Sequence, residues 1–471
     1  MLPLAAERWA DGRSDLLQDE LTAVVGSSHV LVDPALRAQY EVDWTGRWGG
    51  PARLVVRPGT PTEAAAVIRT CARHGTPIVV QGGNTGLVGG GVPPAGGEAD
   101  ATAVLLSLRR LDRVGEVDAA AAQVTVGAGV TLDRVHAAAA GAGLAFGVDL
   151  AARASATVGG MVATNAGGIH VLRYGPMRSQ LVGAELVLAD GTLVSRMGGL
   201  VKDNCGYDLV GLMCGSEGTL GILTQLRLRL VPQLPERAVA LCACDDLGGA
   251  VELSTELFRR LPSLHAVEAV DRSGFQLVLE HTGLPDLFSE TPPWTLFVEA
   301  SGHGDVVDEV GGILGRLADP ERVAVGTEPR QLATLWSYRE RLTEAISAAG
   351  VPHKLDVSLP AAQLVPFDRA LRAGLSQACP AARLVVFGHI ADGNLHVNVI
   401  GPAPVDDELD AWILRLVAAH HGSISAEHGI GRAKARWLGL TRSAADIRAM
   451  VSIKAALDPA GLLNPGVLFG T

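Results

Sequence analysis

Short apolar runs alternate with alanine-rich stretches of helical periodicity from about residue 54 onward. Over 62–74 apolar residues recur every three or four positions, and Pro61 with Glu63 is typical of a helix start. A second helix is predicted after Thr131. Runs of Val, Leu and Ile predict strands at 54–57, 77–81, 103–106, 123–126 and 185–188. This alternation predicts an α/β or α+β domain with parallel strand pairs.

The pattern changes at 226–235, where an alternating strand ends in two prolines and a second αβ region follows. There we predict strands at 295–299 and 383–387, and helices at 306–317 and 331–348. At the end of the chain, helices are predicted on either side of the segment 422–431. The predicted divisions are an N-terminal helical cap (1–50), a glycine-rich domain (51–235), a second αβ domain (236–419) and a C-terminal segment (420–471).

Composition excludes several classes of protein. Hydrophobic residues make up 48% of the 471 residues, which is typical of a packed globular chain. The net charge of −11 and the lack of a basic cluster argue against a nucleic-acid partner. Residues 1–13 do not resemble a signal peptide, and no apolar run approaches the roughly 20 residues of a transmembrane segment. Six cysteines without a CxxC pair predict reduced thiols, so we expect a soluble, cytoplasmic protein.

A glycine-rich loop follows the predicted strand 77–81. Residues 82–91 contain six glycines, which let backbone N–H groups approach a ligand that Cβ atoms would exclude. Such loops bind anions, commonly a diphosphate, although a flexible surface loop is the alternative interpretation. The loop is not a P-loop, because no glycine precedes a lysine, and Leu132 occupies the third glycine position of a Rossmann fingerprint. Two further glycine clusters, 156–168 and 215–222, strengthen the prediction of a cofactor cradle.

A histidine-rich pair of strands is the second chemical signal. A strand delivers His389, a turn containing Asp392 follows, and the next strand carries His396 and Asn398 on one face. An antiparallel hairpin would bring the two histidines together for metal binding. Asp392 is interpreted as a turn-former rather than a ligand.

A second segment supplies a carboxylate beside another histidine. Two His and one Glu form a plausible ligand set for Zn²⁺ or a similar divalent ion. If the segment is extended, neighbouring side chains point in different directions, so Glu427 can bind the metal while His428 stays free as a base. Hydrogen-bonded structural histidines are the alternative.

The loop 81–93, the stretch 156–168 and Gly215–Ile222 resemble the FAD-binding domain of vanillyl-alcohol oxidase-type flavoproteins. That resemblance implies an α+β fold with 51–235 as the FAD-binding domain, 236–419 as a substrate (cap) domain and 420–471 as a helical segment returning to the flavin. Because residues 81–93 contain neither His nor Cys, it also implies non-covalent FAD. The implied FAD contacts are Gln81, Gly82, Gly83, Asn84, Thr85, Gly86, Gly89, Gly159, Gly160, Ala163, Asn165, Gly167, Gly168, Gly218, Ile222 and Asn464.

The C-terminal motifs resemble the FAD-linked D-2-hydroxy-acid dehydrogenases, and the resemblance extends from about residue 35 to the end of the chain. It implies that His389, His396 and Glu427 bind a divalent metal, with zinc expected. It further implies that His428 is the catalytic base and that hydride passes from substrate C2 to flavin N5, giving a 2-oxo acid.

Three residues bear on which hydroxy acid is bound. Arg339 and Thr343 are spaced i and i+4 on a predicted helix, and Lys354 comes from the next strand. With Asn398 they predict a site for a dicarboxylate. A solvated helix face is the alternative for Arg339.

Lys354 is one of only four lysines in the chain, and the pattern resembles the D-2-hydroxyglutarate branch of the family. D-lactate and glycolate dehydrogenases of the family stay open, as do an NADPH-dependent flavin reductase and a flavin- or metal-binding protein without this activity. Ala391 and Val467 depart from the family pattern, where glycine and lysine are usual. The final electron acceptor is not specified, with an electron-transfer flavoprotein or a quinone as candidates, and a homodimer stays open.

Overall fold

The computed structural model describes residues 15–96, 103–403 and 407–470, so the prediction about residues 1–13 lies outside the described part. The helices are α1 (Leu16–Val25), α2 (Pro34–Glu41), α3 (Pro61–Arg73), α4 (Leu132–Gly141), α5 (Val158–Thr164), α6 (Val171–Tyr174), α7 (Met177–Gln180), α8 (Leu209–Met213), α9 (Leu247–Arg260), α10 (Arg272–Thr282), α11 (Val306–Leu317), α12 (Pro329–Glu340), α13 (Leu342–Ala349), α14 (Ala361–Ala378), α15 (Asp407–Ala419) and α16 (Ala444–Leu457). Short 3-10 helices occupy Ser27–His29, Pro320–Arg322 and Ala435–Leu440.

In the described part of the chain, the strands form four sheets. They are β1 (Val30–Leu31), β2 (Leu54–Val56), β3 (Ile78–Gln81), β4 (Val104–Ser107), β5 (Val114–Asp118), β6 (Gln123–Gly127), β7 (Leu144–Ala145), β8 (Leu181–Val187), β9 (Leu193–Arg196), β10 (Ile222–Arg229), β11 (Val231–Pro232), β12 (Glu236–Cys244), β13 (Leu264–Asp271), β14 (Trp294–Gly302), β15 (Val323–Gly326), β16 (His353–Ser358), β17 (Arg383–Gly388) and β18 (Asn394–Ile400).

The first sheet has the order β1-β2-β4-β3, and its last three strands are parallel, as the alternating pattern predicts. Helix α3 connects β2 to β3. It begins where the Thr60 hydroxyl accepts from Glu63 N (3.1 Å) and the Glu63 carboxylate accepts from Gly59 N (2.7 Å). β1 comes from the predicted N-terminal cap and pairs with β2, so part of the cap joins this sheet.

A five-stranded sheet of order β5-β6-β10-β8-β9 completes the glycine-rich half of the chain, and a short β11–β7 pair lies beside it. Its paired strands are antiparallel. A separate core of buried apolar side chains packs α4 and α5 against this sheet.

The second αβ region is built on a seven-stranded antiparallel sheet of order β15-β12-β14-β13-β17-β18-β16. One face packs against α9, α11, α14 and α15 through residues such as Val298 and Val357. The other face packs against α10, α12 and α13 through residues such as Phe297 and Tyr338. Along β18 and β16, this second face carries mainly polar side chains, and these contribute to the site described below.

One predicted helix is altered by the fold. The helix predicted over 331–348 is interrupted at Arg341, where ψ is −6° instead of the helical value near −42°. The segment 422–431 is a loop with helices on either side of it, α15 before and the C-terminal helices from residue 435 onward, as predicted. This loop connects α15 to the site and carries Glu427 and His428.

The C-terminal segment returns to the first sheet. Leu463 forms a parallel bridge with Ile78 in β3, and Lys454 donates to the carbonyl of Leu463 (2.9 Å). Within the described residues, no helix combines the length and apolar character needed to cross a membrane. All six cysteines are free thiols and four are buried, as the sequence predicts.

Candidate active site

The glycine loop after β3 is closely packed on its neighbours. A Cβ atom on Gly83 would lie 2.0 Å from the Ser155 carbonyl oxygen, so only glycine fits there. The buried Gln81 amide donates to the carbonyls of Tyr40 and Gly91 (2.8 Å each), which fixes both ends of the loop. The loop is therefore a rigid backbone cradle rather than a flexible surface loop.

An open cleft of about 310 Å³ runs along this loop and lies within the size range of ligand pockets. Its lining contains every residue predicted to contact FAD except Asn165. Asn165 ends α5 in the left-handed conformation (φ 53°), and its side-chain oxygen accepts from Arg178 N (3.0 Å). Because glycine and alanine backbone dominates the walls, the cleft suits a flat, phosphate-bearing cofactor such as FAD.

Glu217 is a residue of this cleft that the sequence analysis missed. Its carboxylate accepts from Ile430 N and Gly431 N (2.8 Å each), and its carbonyl accepts from Asn464 Nδ2 (2.7 Å). Asn464 in turn accepts from Val80 N (2.8 Å). Burial raises the pKa of Glu217 to about 7. These bonds tie the cofactor cradle to the loop that carries the histidine–glutamate pair.

The histidine hairpin forms as predicted. β17 and β18 are antiparallel, and the His389 and His396 ring centroids lie 6.4 Å apart. Glu427 approaches from the C-terminal loop, with Oε1 at 3.6 Å from His389 Nδ1. Each of the three residues offers one ligand atom, and these atoms lie within 4.8 Å of one another. The structure thus brings together the predicted metal-binding set.

The environment of His389 fits a cation. Both of its ring nitrogens are buried, and neither has a hydrogen-bond partner among the described residues. Nδ1 faces Glu427, while Nε2 lies 3.5 Å from Glu268 Oε1. A carboxylate behind a histidine is the usual arrangement that orients a metal-binding imidazole. Two imidazoles and one carboxylate are donors typical of zinc.

Asp356 is the second carboxylate that the sequence analysis missed. Its Oδ2 accepts from the backbone N–H groups of Ala426, Glu427 and His428 (3.1, 2.7 and 2.9 Å). Its Oδ1 accepts from Asn394 Nδ2 (2.8 Å). One buried carboxylate therefore fixes the backbone that presents both the glutamate and the candidate base.

Asp356 also faces two imidazoles. Its carboxylate oxygens lie 3.5 Å from His396 Nδ1 and 3.9 Å from His428 Nδ1. Burial alone would raise the pKa of Asp356, but His428, His396 and Lys434 hold it below the ordinary range. Asp356 is therefore ionised and leaves the opposite nitrogen of each histidine free.

The titration behaviour of the cluster reflects its excess of carboxylates. Burial alone would lower the pKa of His389, but Glu268 and Glu427 raise it to about 10. Burial lowers the pKa of His396 to about 3 and also raises the pKa of Glu427. A positive charge is thus favoured between His389 and Glu427, either a proton or a metal ion.

The predicted substrate residues, which are Arg339, Thr343, Lys354 and Asn398, differ in how the structure places them relative to this cluster. Lys354 in β16 pairs with Asn398 in β18, and Asp356 pairs with His396 two residues further along the same two strands. Arg339 forms an ion pair with buried Glu268, and its guanidinium carbon lies 4.5 Å from the Phe387 ring centroid.

Thr343 is exposed and lies beyond the break at Arg341, so the predicted i, i+4 pair with Arg339 spans two helices. Asp392 accepts from Asn394 N (3.1 Å), which is the turn-forming role expected of it.

Glu427 and His428 complete the connection between the two halves of the site, because both line the cofactor cleft. His428 stacks beside His396 with ring centroids 5.6 Å apart. Burial lowers the pKa of His428, although Asp356 opposes that shift. A neutral imidazole at the boundary between the cofactor cleft and the metal-type cluster can accept a proton there.

Comparison with known families gives two matches that together cover most of the chain. A family described as FAD linked oxidases, C-terminal domain, matches residues 233–468, and a FAD binding domain matches 52–196. Both matches fit the cleft and the two-part architecture described above.

Curated relatives match nearly the whole chain. D-2-hydroxyglutarate dehydrogenase of Xanthomonas citri pv. viticola is 38% identical over 96% of either chain. The mitochondrial D-2-hydroxyglutarate dehydrogenase of Bos taurus is 36% identical over 95% of this chain and 83% of the relative. A putative mitochondrial D-lactate dehydrogenase of Schizosaccharomyces pombe is 32% identical over 92% of this chain and 85% of the relative. The cytoplasmic location expected from the sequence stays a prediction.

Solved structures confirm the fold. An alkyldihydroxyacetonephosphate synthase superimposes with a TM-score of 0.76 at 16% identity, covering 96% of this chain and 86% of that one. p-Cresol methylhydroxylase with bound substrate gives a TM-score of 0.75 at 17% identity, covering 96% and 95%. The predicted α+β fold with a vanillyl-alcohol oxidase-type FAD-binding domain is therefore confirmed.

Proposed function

The chain belongs to the FAD-linked oxidase family as an FAD-dependent oxidoreductase of the D-2-hydroxyglutarate dehydrogenase type, and we propose that it oxidises D-2-hydroxyglutarate to the 2-oxo acid with a bound divalent metal. The observation that carries the substrate assignment is the register of β16 and β18. It places the Lys354 ammonium on the same sheet face as His396 and next to Asn398. A lysine on the same sheet face as a predicted metal-binding histidine suits a substrate with a second carboxylate beyond the reacting one.

FAD and a divalent metal each fit a set of residues in this site. The glycine cradle and Asn464 would hold FAD, and His389, His396 and Glu427 would hold the metal. When bound, FAD supplies the hydride acceptor at N5, and the divalent ion supplies a Lewis acid beside the hydroxy-acid end of the substrate.

His428 is proposed as the base that takes the proton of the C2 hydroxyl. Its Nδ1 faces the ionised Asp356, which leaves Nε2 to accept a proton from the substrate. Burial keeps the free imidazole neutral near pH 7, and Asp356 stabilises the imidazolium once the proton arrives. The backbone N–H groups of 426–428 donate to Asp356, and these three bonds hold the His428 ring in place without contact to the substrate.

Arg339 and Lys354 are proposed to bind the carboxylates, with Asn398 donating its own hydrogen bond and Thr343 contributing from the helix that follows. Arg339 is held by Glu268, so its guanidinium is oriented before substrate arrives. Such orientation reduces the entropy lost when the substrate binds.

A direct test is anaerobic reduction of the flavin. D-2-Hydroxyglutarate should bleach the bound flavin faster than D-malate, D-lactate or glycolate, and L-2-hydroxyglutarate serves as the stereochemical control. Faster bleaching by D-lactate would favour the second candidate, D-lactate oxidation, which the 32% identical relative supports. A flavin that no hydroxy acid bleaches would refute both.

Lys354→Met tests the dicarboxylate assignment. Loss of a charge-assisted hydrogen bond should lower kcat/KM for D-2-hydroxyglutarate by about 10- to 150-fold while affecting D-lactate much less. The exposed Lys202 provides a matched control, since Lys202→Met removes the same charge from a surface loop. An unchanged ratio of the two kcat/KM values in Lys354→Met would contradict the assignment.

A further inference from the structure

A rigid turn at residues 43–48, here called the N-terminal turn, lies between α2 and β2. The buried Asp43 carboxylate accepts from the Thr45 hydroxyl (2.9 Å), Arg47 N (3.1 Å) and Trp48 N (3.3 Å). Asp43 N also donates to the Trp48 carbonyl (2.9 Å). The turn is therefore closed by its own hydrogen bonds and holds its side chains in fixed directions.

The N-terminal turn is fastened to the cofactor loop. Trp44 Nε1 donates to the Thr85 carbonyl (3.1 Å), and Asn84 Nδ2 donates to the Val42 carbonyl (2.9 Å). Trp48 lies so close to Gly89 that a Cβ atom there would be 2.8 Å from the indole. The turn is thus fixed to the loop that is predicted to hold the diphosphate.

The same turn reaches the substrate domain. The Trp44 ring centroid lies 5.6 Å from Lys354 Nζ, which is within the range of a cation–π contact. Burial lowers the pKa of Lys354, and Arg47 of the turn is close enough to lower it further. Trp44 is 54% exposed, so its ring is not part of a packed core. An exposed tryptophan against a lysine offers an apolar wall next to a positive charge.

We propose that Trp44 is a positioning residue that determines specificity for a dicarboxylate by holding the Lys354 ammonium in place for the distal carboxylate and by covering the methylene carbons between the two carboxylates. This rests on the proposed function, in which Lys354 binds that carboxylate. Monocarboxylates such as D-lactate have neither group to contact, so Trp44 discriminates between the two classes.

The physical reason lies in the neighbouring charge. Lys354 and Asp356 are two positions apart on one strand, so their side chains leave from the same face. Without a competing contact, the flexible ammonium would be drawn towards the Asp356 carboxylate and away from the substrate. The Trp44 ring provides that contact at low cost in entropy, because the turn and the bond to Thr85 already fix the indole.

Two substitutions separate the ring from its N–H group. Trp44→Leu removes both, whereas Trp44→Phe keeps a smaller aromatic face and loses the bond to Thr85. We expect Trp44→Leu to lower the ratio of kcat/KM for D-2-hydroxyglutarate over D-lactate by about 3- to 10-fold, the size of a partly exposed cation–π contact. The loss should appear in KM for the dicarboxylate with kcat nearly unchanged, and Trp44→Phe should restore most of it.

Trp437 supplies the matched control. It is less exposed than Trp44 but likewise contacts a cation, with the Arg436 guanidinium carbon 4.1 Å from its ring centroid. Trp437→Leu should leave the selectivity ratio within about twofold of wild type. FAD content is measured for every variant, so that selectivity is compared at equal flavin occupancy.

The outcomes separate this proposal from the proposed function. An unchanged ratio in Trp44→Leu, while Lys354→Met lowers it, overturns the role of Trp44 alone. A Trp44→Phe variant as impaired as Trp44→Leu also overturns it, because the N–H and not the ring would then matter. Loss of FAD from both variants would make Trp44 a cofactor-binding residue and likewise overturn it. Failure of the proposed function appears instead in wild type and in Lys354→Met.

Discussion

Substitution of Asp356 by Asn tests the idea that one buried carboxylate organises the site. The change keeps the shape of the side chain but replaces an oxygen by an NH₂ group and removes the charge. In the native site one oxygen accepts three backbone N–H bonds and the other accepts one from Asn394 Nδ2. If the new amide nitrogen faces Asn394, it meets the Asn394 Nδ2 group, and two donors oppose each other. If it faces the loop instead, it meets the three backbone N–H groups of 426–428, and one donor opposes three.

The least costly response is for the Asn394 amide to flip, but its Nδ2 also donates to the Val357 carbonyl (3.2 Å), and that bond would be lost. That bond to an uncharged carbonyl is worth about 0.5–1.5 kcal/mol, and the three backbone N–H bonds to residue 356 also lose their charge assistance. The negative charge that faces His396 and His428 disappears as well. Loss of a carboxylate behind a metal-binding histidine typically lowers metal affinity or activity by about 10- to 100-fold.

We expect Asp356→Asn to lower kcat/KM for the hydroxy acid by about 100-fold and to reduce the bound metal, with the flavin absorbance nearly unchanged. Metal content, steady-state kinetics and the free energy of unfolding are measured on the same preparation. Asp368→Asn is the control, because Asp368 is also a buried aspartate but is paired with Arg372 on α14, away from the site. A variant with wild-type metal content and kcat/KM would refute the reasoning, even if its stability had fallen.

Three further predictions concern the metal, the flavin and pH. Chelation should abolish turnover and leave the flavin spectrum intact, and readdition of Zn²⁺ should restore it; full activity in a metal-free preparation would disprove the metal role. Acid precipitation should release yellow FAD into the supernatant, whereas colour retained on the polypeptide would contradict non-covalent binding. His265 is a buried residue of β13, and burial lowers its pKa to about 3, below its ordinary 6.5. The stability linked to the neutral ring is therefore complete above pH 6.5 and decreases as the pH falls towards 3. Between pH 7 and pH 5 this amounts to about 2 kcal/mol, so His265→Gln should lose less stability than wild type over that range in urea titrations, and an equal loss would argue against it.

Much of this protein could be predicted from residues that are neighbours in the chain. The helix predicted at 306–317 has those same bounds, and the hairpin that carries His389 and His396 pairs as expected. The glycine cradle could be predicted because six glycines in one short loop let the backbone approach a ligand closely. Periodicity, turn residues and glycine requirements act over a few positions, so a linear pattern contains them.

The tertiary structure alone decided which carboxylates serve the site. Glu268, Asp356 and Glu217 lie among strand or loop residues without any local pattern that marks them. Their partners are distant in sequence: Glu268 pairs with Arg339 71 positions away, and Glu217 accepts from Gly431 214 positions away. The contact between Trp44 and Lys354 likewise depends on the N-terminal turn folding over the cofactor loop.

The physical reason is that the role of a buried charged group depends on the groups that surround it in the folded protein. Burial, opposing charges and backbone donors set whether a carboxylate is ionised and what it orients, and these are supplied by segments brought together only when long stretches of chain are closed. The break at Arg341, which separates Arg339 from Thr343, has the same origin, because tertiary packing overrides the local helical preference. The sequence thus determined the cofactor cradle and the metal-type residues, and the folded chain determined the network that holds them in position.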